Sequence, residues 1–333
     1  MDITAVDRGA NVLVTGGAGY IGAVVVGLLL QDGYRVRVLD NLSCGGNALL
    51  TYFQNPHFEL AYGDIRNRKD LRSALENVDA VIHLAAVVGD PACRKYPELA
   101  VAVNKQGSEE LCRAAVEKQV RRFVFASTCS NYGKMPDPDG YVDETSPLNP
   151  VSLYAELKVG FENYLLGLGL DDFCPTCLRF ATAYGLSPRP RFDLTVNEFT
   201  RDLLLNRPLE IYGEQFWRPY CHTGDLARAC IMVLKAPRPA VAYQAFNVGD
   251  NAENYRKRDL VELILERLPN RRENVTYVHR DEDPRDYRVN FDKISEVLGF
   301  SVSRTVADGI AEIIFAIGSG LIRNPDDEYF INR

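Results

Sequence analysis

The sequence predicts a doubly wound α/β fold, a parallel sheet with helices on both faces, that carries a smaller second lobe. A glycine-rich turn follows the first strand-like segment, within residues 12–22. Strand-like and helix-like segments then alternate as far as residue 127. The segment 122–127 is nearly continuous in apolar residues, as expected where both faces of a strand are covered. A chain of 333 residues is long enough for such a domain and a second lobe.

The glycine-rich turn has the spacing of a phosphate-binding site. Residues 12–14 read as a buried strand, and three glycines follow where that strand must turn tightly into a helix. The first glycine can adopt backbone angles closed to other residues, the second lets a pyrophosphate approach the main chain, and the third lets the helix pack closely on the sheet. A glycine pattern alone also fits an ordinary turn. The segments that follow it therefore decide between an ordinary turn and a phosphate-binding turn. The residues expected to face the phosphates are Gly16, Gly19, Tyr20, Ile21 and Gly22.

An acidic residue ends the second predicted strand. The segment 35–39 reads as a strand and is followed by Asp40, eighteen residues after Gly22. A carboxylate at this strand end binds a ribose diol and repels a 2′-phosphate. The cofactor predicted is therefore NAD rather than NADP, and we include Asn41, which opens the following polar loop, among its contacts.

Composition excludes several classes of protein. The net charge is −7, and nucleic-acid binding needs basic surface that displaces counterions, so nucleic acid is not expected as the main partner. Residues 1–10 carry charged side chains and lack the apolar core of a secretion signal. The longest apolar run, residues 21–30, is about half a membrane span. The sequence therefore predicts a cytoplasmic protein without a membrane contact.

The cysteines and histidines indicate neither a disulfide framework nor a metal site. Eight cysteines are scattered along the chain, as is typical of reduced thiols. Cys174 and Cys177 have redox or zinc spacing, but they fall in a predicted strand, where residues three apart face opposite sides. The four histidines show no ligand spacing. No metal is predicted.

The next two strand ends fit the same dinucleotide. The third predicted strand, 58–62, is followed by Asp64 and Ile65, which suit a hydrogen bond and an apolar contact to an adenine. A turn or capping role for Asp64 is an equally good interpretation. The fourth predicted strand, 78–84, ends in residues small enough to let a cofactor pass close to the main chain: Leu84, Ala85 and Ala86.

Hydroxyl side chains cluster after the fifth predicted strand, where chemistry is expected in this fold. Thr128 lies in that cluster, and the helix that follows holds Tyr154 and Lys158, four residues apart on one face. A phenol of pKa about 10 needs about 4 kcal/mol of stabilisation of its anion to act as a base near neutrality. Lys158 and the positive charge of an oxidised nicotinamide can supply that stabilisation. The spacing alone also fits an exposed helix pair, so this assignment depends on the cofactor signals.

Together these segments resemble the extended short-chain dehydrogenase/reductase superfamily, in its nucleotide-sugar epimerase/dehydratase branch. The resemblance covers nearly the whole chain and is highly specific. It implies that Thr128 hydrogen-bonds the reacting oxygen of the substrate and that Tyr154 is the acid/base. It further implies that Lys158 lowers the pKa of that tyrosine and holds the nicotinamide ribose. The motifs that carry the resemblance are 15–22, Asp40, 63–65, 83–86, Asn104, 127–128, 132–133, Tyr154 and Lys158, and Asn104 is thereby assigned to the cofactor site.

The resemblance also implies residues that bind a nucleotide-sugar substrate. Arg218 and Arg285 resemble the family's two diphosphate-binding arginines, whose guanidinium forks donate two hydrogen bonds at once. Thr182 stands where the family usually has asparagine, and Asn197 lies at the start of the nucleotide clamp. These four residues are the predicted substrate contacts.

The predicted domains interleave along the chain. The NAD-binding domain comprises residues 1–180 and about 221–248, and the substrate lobe comprises 181–220 and about 249–333. Asp225 is expected to cap a helix over 226–235 before a strand at 245–249 returns to the first domain. The resemblance further implies a homodimer, which relatives commonly form through helices near residues 97–119 and 152–167.

The residues after Thr128 rank the possible reactions. In the family's 4,6-dehydratases these two positions carry an acidic pair, because elimination of water needs an acid and a base, whereas here they are Cys129 and Ser130. A nucleotide-sugar 4-epimerase is therefore the first choice. A 4-dehydrogenase or 4-ketoreductase stays open, because segments 87–93 and 189–194 resemble a branch that includes GDP-heptose 4-dehydrogenases. A 4,6-dehydratase would need a non-standard acid, for which Asp90 is the candidate.

A protein that binds NAD without turnover, as a redox sensor or scaffold, is the alternative of another class. Such relatives often lose the active-site tyrosine or lysine. Tyr154 and Lys158 are both present here, which favours an enzyme.

Overall fold

The computed structural model describes residues 5–135, 137, 140–283 and 285–332, so the outer limits predicted for the domains, Met1 and Arg333, lie outside the described residues. Twelve strands are found within these ranges. They are β1 (Asn11–Thr15), β2 (Arg35–Asp40), β3 (Phe58–Tyr62), β4 (Ala80–His83), β5 (Arg122–Thr128), β6 (Cys174–Phe180), β7 (Thr182–Tyr184), β8 (Leu209–Tyr212), β9 (Trp217–His222), β10 (Gln244–Val248), β11 (Asn254–Arg256) and β12 (Val275–Val278).

Seven of these strands form one parallel sheet in the order β10-β6-β5-β4-β1-β2-β3. The doubly wound fold class is confirmed. The strands are apolar on both sides because each face is covered: Val12 and Val14 belong to one core cluster, and Leu13 between them belongs to the other.

The helices that cover the sheet and build the second lobe follow the predicted alternation. Helices α1 and α8 pack on one face of the sheet, and α2, α5 and α6 pack on the other. The α-helices are α1 (Tyr20–Gln31), α2 (Arg68–Ala74), α3 (Asp90–Lys95), α4 (Pro97–Ala100), α5 (Ser108–Glu117), α6 (Leu153–Leu166), α7 (Thr195–Leu204), α8 (Thr223–Lys235), α9 (Arg238–Val241), α10 (Lys257–Arg267), α11 (Asp292–Leu298) and α12 (Val306–Gly318).

The smaller lobe has its own sheets and core. Strands β11, β9 and β7 form one sheet, and β12 pairs with β8 in another. Helices α7, α10 and α12 bury a separate apolar cluster against them, which includes Leu203, Ile211, Ile264 and Ile310. Strand β10, although it follows this lobe's first strands in the chain, pairs with β6 and extends the main sheet.

The structure differs from the sequence-based expectation at three helix starts. Asp90 begins the short helix α3, a helix that the sequence did not predict. The long helix expected over 97–119 is divided, because residues 101–107 form a π-helical turn between α4 and α5. Helix α8 is capped by the His222 side chain, which accepts from the Gly224 amide at 3.1 Å, so the capping role predicted for Asp225 is wrong.

Asp225 instead joins two segments of the fold. Its carboxylate, fully buried, accepts from the backbone amides of Ser303 and Arg304 at 2.9 and 3.1 Å. These bonds tie α8 to the chain that leads into α12. No helix in the described part of the chain combines the length and apolar character needed to cross a membrane.

Candidate functional site

A cavity of about 590 Å³ opens at the carboxyl ends of β1, β2, β4 and β5, with the start of the smaller lobe forming its opposite wall. Its position is the one expected for a ligand in a doubly wound sheet. The sequence-predicted residues that line it are Gly16, Gly19, Tyr20, Ile21, Gly22, Asp40, Asn41, Asp64, Ile65, Leu84, Ala85, Ala86, Thr128, Tyr154, Lys158 and Thr182.

The turn between β1 and α1 is shaped for a dinucleotide. Gly16 has φ +74°, and a Cβ there would lie 2.7 Å from the Ala85 amide nitrogen. A Cβ on Gly22 would lie 2.1 Å from the Gly16 carbonyl oxygen, so only glycine lets α1 begin this close to β1. The first amides of α1 have no partners within the helix and face the cavity, which fits the pyrophosphate of a dinucleotide.

Asp40 is held in place at the end of β2. One carboxylate oxygen accepts from the Ala18 amide at 3.0 Å and the other from the Leu42 amide at 2.8 Å. Burial raises the pKa of Asp40, while these two bonds favour its charged form. The side chain lines the cavity, where it suits a ribose diol.

Asp64 lines the cavity, and its carboxylate is hydrogen-bonded to neighbouring side chains. It accepts two hydrogen bonds from the Arg66 guanidinium, at 2.9 and 2.7 Å, and one from the Asn41 amide at 3.0 Å. The hydrogen bonds from Arg66 lower the pKa of Asp64 to about 2. Asp64 is therefore ionised near neutrality. The Arg66 backbone amide also donates to it, at 2.9 Å, so its two oxygens already accept four hydrogen bonds. This geometry favours the turn role for Asp64, although the residue also lines the cavity.

The predicted reactive side chains meet at the opposite end of the cavity. Helix α6 is capped by Ser152, whose hydroxyl accepts from the Ala155 amide at 3.3 Å. Tyr154 in the first turn and Lys158 one turn later share one face, and the Lys158 Nζ lies 5.9 Å from the centre of the Tyr154 ring. Thr128, at the end of β5, lines the same part of the wall.

Burial sets the protonation of this pair. Lys158 is 4% exposed and donates to the Ala126 carbonyl at 2.8 Å, and burial lowers its pKa to about 8. Burial raises the pKa of Tyr154, with further contributions from Cys93 and Asp90, while the charge of Arg191 opposes the shift. The phenol is therefore neutral near pH 7 before any ligand charge acts on it.

Two predicted residues lie behind the cavity wall rather than in it. Asn104 is buried, and its side-chain amide exchanges two hydrogen bonds with the Val87 backbone, at 2.8 and 2.9 Å. Asn197 is fully buried and bonds the backbone of Gly185 and Arg191. Both side chains hold loops that line the cavity, and the structure does not bring either one to its surface.

The two predicted diphosphate-binding arginines are also outside the cavity wall, and each is paired. Arg218 donates to Asp283 at 2.7 Å and lies against the ring of Tyr287, which does line the cavity. Arg285 donates to Asp90 at 2.7 Å. In this structure both guanidinium groups are therefore engaged by carboxylates.

Several residues of the wall were not predicted. Arg189 and Arg191 lie on the loop between β7 and α7, Tyr287 lies before α11, and Asn332 lies next to the end of the chain. Two arginines flank Pro190 in the sequence, and such a basic loop is a local signal that could have indicated an anion-binding wall. Nothing local in the sequence indicates that Asn332 reaches this site.

The two residues after Thr128 face different surroundings. The Cys129 thiol is 1% exposed and donates to the Arg179 carbonyl at 3.1 Å, so it belongs to the core. Ser130 lines the cavity, with its hydroxyl 3.4 Å from the Tyr287 hydroxyl. Among the described residues, Asp40 and Asp64 are the only carboxylates in the wall.

Within the described ranges, no group of three or more His, Cys, Asp or Glu side chains is placed to hold a metal ion. Cys174 and Cys177, the pair with metal-like spacing, are buried in β6 and belong to different core clusters on its two faces. Their positions account for the spacing by packing alone.

Comparison with known proteins places these features in a family. A family model described as the NAD dependent epimerase/dehydratase family matches residues 12–249. UDP-glucose 4-epimerase of Mycolicibacterium smegmatis is 33% identical over 310 residues, covering 91% of this chain and 96% of that protein. A dTDP-glucose 4,6-dehydratase of Streptomyces niveus is 30% identical over 321 residues, covering 91% of each.

Solved structures show the same relationship. The UDP-glucose 4-epimerase of Thermotoga maritima with UDP-glucose has a TM-score of 0.83 at 27% identity, covering 93% of this chain and 99% of that one. The dTDP-glucose 4,6-dehydratase DesIV of Streptomyces venezuelae with bound NAD has a TM-score of 0.83 at 29% identity, covering 93% and 98%. The chain therefore belongs to the NAD-dependent epimerase/dehydratase family of nucleotide-sugar enzymes.

Proposed function

We propose that the protein is a nucleotide-sugar 4-epimerase that uses NAD. The observation that carries this proposal is the set of side chains at the Tyr154 end of the cavity: it supplies hydroxyls and an ammonium group, and no carboxylate among the described residues. Asp40 is the last residue of β2 and Asp64 follows β3, and these strands lie three and four positions from β5 in the sheet. At about 4.8 Å per strand, they lie roughly 14 and 19 Å from the end of β5.

The proposed reaction needs only the groups present at this end. Bound NAD supplies a reversible hydride acceptor for C4 of the sugar. During oxidation the Tyr154 phenolate takes the proton of the C4 hydroxyl, and the phenol so formed returns a proton to the C4 oxygen after the keto sugar has turned over in the cavity. Thr128 donates a hydrogen bond to the C4 oxygen, and Lys158 stabilises the Tyr154 anion.

Dehydration across C5 and C6 would require two catalytic groups in addition to those used at C4. It needs a base at C5 and an acid at O6, and the positions next to Thr128 hold a thiol that is buried in the core and a serine hydroxyl. A hydroxyl of ordinary pKa is a poor donor and acceptor of protons near neutrality. Epimerisation therefore fits the cavity better.

A panel of UDP-, GDP-, dTDP- and CDP-sugars, with products read by mass spectrometry and NMR, tests the proposal. An epimer has the mass of its substrate and an inverted C4 centre. Release of the ketone lowers the mass by two hydrogens, and dehydration lowers it by one water. Either of these as the main product would overturn the proposal in favour of a 4-dehydrogenase or a 4,6-dehydratase. Binding of NAD without turnover of any sugar would indicate a sensor or scaffold.

Asp90→Asn separates epimerisation from dehydration by a relocated acid. Asp90 is already engaged, by the Ser152 hydroxyl and the Arg285 guanidinium, each at 2.7 Å. If the chemistry stops at C4, we expect turnover to fall by at most about tenfold, or about 1.4 kcal/mol, because only these contacts change. The measurement is turnover on the sugar identified by the panel, with the exposed Asp281→Asn as the matched control. A loss of about three orders of magnitude, with a product one water lighter than substrate, would identify Asp90 as a dehydratase acid.

Asp40→Ala is expected to narrow the preference for NAD over NADP. The carboxylate repels a 2′-phosphate, so its removal lowers the penalty on NADP. Because Asp40 also accepts two backbone amides, its loss will weaken binding of both cofactors, and the ratio of the two dissociation constants by calorimetry is the informative quantity. Asp40→Asn is the control. It removes the charge but keeps one side-chain oxygen that can accept a hydrogen bond from a backbone amide, so it separates the effect of charge from the loss of these bonds. Equal affinity of the unmodified protein for NAD and NADP would contradict the assignment.

We also propose, from the sequence, that the protein forms a homodimer and is located in the cytoplasm. Light scattering at micromolar concentration measures the first.

A further inference from the structure

Arg189 is a buried cation in the cavity wall without a carboxylate partner. Its residue exposure is 2%. Its Nη1 donates to the Asn332 side-chain oxygen at 2.7 Å and its Nη2 to the Ile331 carbonyl at 3.1 Å, while its Nε has no hydrogen-bond partner. Among the residues that the structure describes, no carboxylate oxygen comes within 4.0 Å of these nitrogens.

A buried charge of this kind is costly unless something compensates it. Burial lowers the pKa of Arg189 because the charged guanidinium loses its contact with water. Arg179, Arg191 and Arg218, which are also buried, each pair with a carboxylate. Arg122 has no such partner, but it donates to carbonyls at the C-terminal end of α8, where the helix dipole is negative. Arg189 has neither a carboxylate within 4.0 Å among the described residues nor a helix C-terminus. Asp193 and Asp40 act on it only from a greater distance, so we expect a ligand in the cavity to supply its direct counter-charge.

The electrostatic neighbours of Arg189 place it at the Asp40 end of the cavity. Burial raises the pKa of Asp40, and the charge of Arg189 is among the influences that oppose this shift. Further electrostatic neighbours of Arg189 are Cys44 in the loop after β2, Arg191, Asp193 and Tyr329. The Tyr20 hydroxyl donates to the Gly185 carbonyl at 2.6 Å, so the loop that carries Arg189 is tied to the start of α1.

Arg191 extends the positive wall toward the reactive end. It lines the cavity, and its charge opposes the burial that raises the pKa values of Tyr20 and Tyr154. Its Nε and Nη2 are bound to Asp193, at 2.9 and 2.6 Å. Arg191 is therefore paired directly with Asp193, whereas that carboxylate acts on Arg189 only from beyond 4.0 Å.

We propose that Arg189 is a cofactor-binding residue that provides the counter-charge for the diphosphate of the bound dinucleotide. In a dinucleotide the diphosphate lies between the adenosine ribose, for which Asp40 is suited, and the nicotinamide, which belongs beside Tyr154. Amides of the glycine turn then face the diphosphate from the main sheet, and Arg189 faces it from the smaller lobe. The proposal concerns cofactor binding and does not depend on which product forms at C4.

The end of the chain holds Arg189 for this role. The Phe192 amide donates to the Phe330 carbonyl at 2.9 Å, and the two rings pack edge to face with centres 5.6 Å apart. The guanidinium lies over the Tyr329 ring, 5.9 Å from its centre, and Asn332 accepts its hydrogen bond. The segment 329–332 therefore orients Arg189, and Asn332 itself lines the cavity.

Calorimetric titration of Arg189→Met, freed of bound nucleotide, tests the proposal with NAD, ADP-ribose, adenosine and UDP. We expect dissociation constants for NAD and ADP-ribose to rise about 10- to 100-fold, as for loss of a charged hydrogen bond, with adenosine binding changed less than twofold. Arg189→Lys keeps the charge and loses the fork, so we expect it to retain part of the lost affinity. The matched control is Arg272→Met, which removes an exposed arginine paired with Glu262 outside the cavity.

Three outcomes would overturn the proposal. Unchanged ADP-ribose affinity in both Arg189 variants would show that the charge does not act on the cofactor. Equal weakening of ADP-ribose and adenosine would indicate a general loss of structure. Selective weakening of UDP would assign Arg189 to the diphosphate of the substrate instead. If Arg189→Met does not fold, the ratio of ADP-ribose to adenosine affinity in Arg189→Lys decides between these outcomes.

Discussion

Replacing Tyr154 with phenylalanine is expected to lower turnover by about 10²- to 10⁴-fold while changing NAD binding little. The ring fits the same space in the first turn of α6, so packing against the cavity wall is retained. What is lost is the hydroxyl that exchanges the proton of the C4 oxygen in the proposed reaction. Because burial raises the pKa of Tyr154, ionisation of the phenol depends on positive charge beside it, which Lys158 and the oxidised cofactor provide.

The measurement is the turnover number on the identified sugar, together with the calorimetric affinity for NAD. Tyr277→Phe, which alters a half-exposed tyrosine in β12 of the smaller lobe, is the matched control and should retain full turnover. Near-normal turnover of Tyr154→Phe would mean that another group carries the proton. Loss of NAD affinity in proportion to turnover would indicate a binding role instead.

Replacing Arg179 with methionine is expected to lower the free energy of unfolding by about 3–5 kcal/mol. Its partner Glu162 is fully buried and accepts from the Arg179 Nε at 3.0 Å and from the Ser127 hydroxyl at 2.8 Å. Removal of the arginine leaves that carboxylate buried without a counter-ion. Because Glu162 is hydrogen-bonded to Ser127, the neighbour of Thr128 at the end of β5, we expect turnover to fall as well through displacement of Thr128.

Denaturant unfolding measures this effect, with Arg272→Met as the control. Arg272 and Glu262 are both well exposed, and because water screens an exposed ion pair, this control should change the free energy of unfolding little. Adding Glu162→Gln to Arg179→Met removes the unpaired charge and should restore part of the lost stability. A loss below about 1 kcal/mol for Arg179→Met alone would show that water or another group compensates Glu162.

The parts of the site that could be predicted are those whose chemistry lies within a few residues. The glycine turn needs residues without a Cβ at fixed spacing, and Asp40 is recognisable because it ends a strand directly. Tyr154 and Lys158 share a helix face by their spacing alone. All of these line the cavity where the parallel sheet brings strand ends together.

The parts that could not be predicted depend on contacts between distant segments. Arg218 pairs with Asp283, and Arg285 pairs with Asp90. Each arginine could instead bind a ligand in the cavity, and the sequence does not show which acceptor it prefers. The N-terminal cap of α8 is a similar case, because both His222 and Asp225 have side chains that could accept from a free amide. The Asp225 carboxylate instead accepts from the amides of Ser303 and Arg304, and His222 caps the helix.

By itself, the sequence determined the doubly wound fold, NAD as the cofactor and the shared helix face of Tyr154 and Lys158, because periodicity, glycine spacing and helix geometry act over short distances along the chain. Only the tertiary structure decided the electrostatics of the site. It brought Asn332 to Arg189 across 143 residues, and it left that guanidinium buried without a carboxylate. The physical reason is that charge compensation depends on distance in space, which the order of residues does not specify.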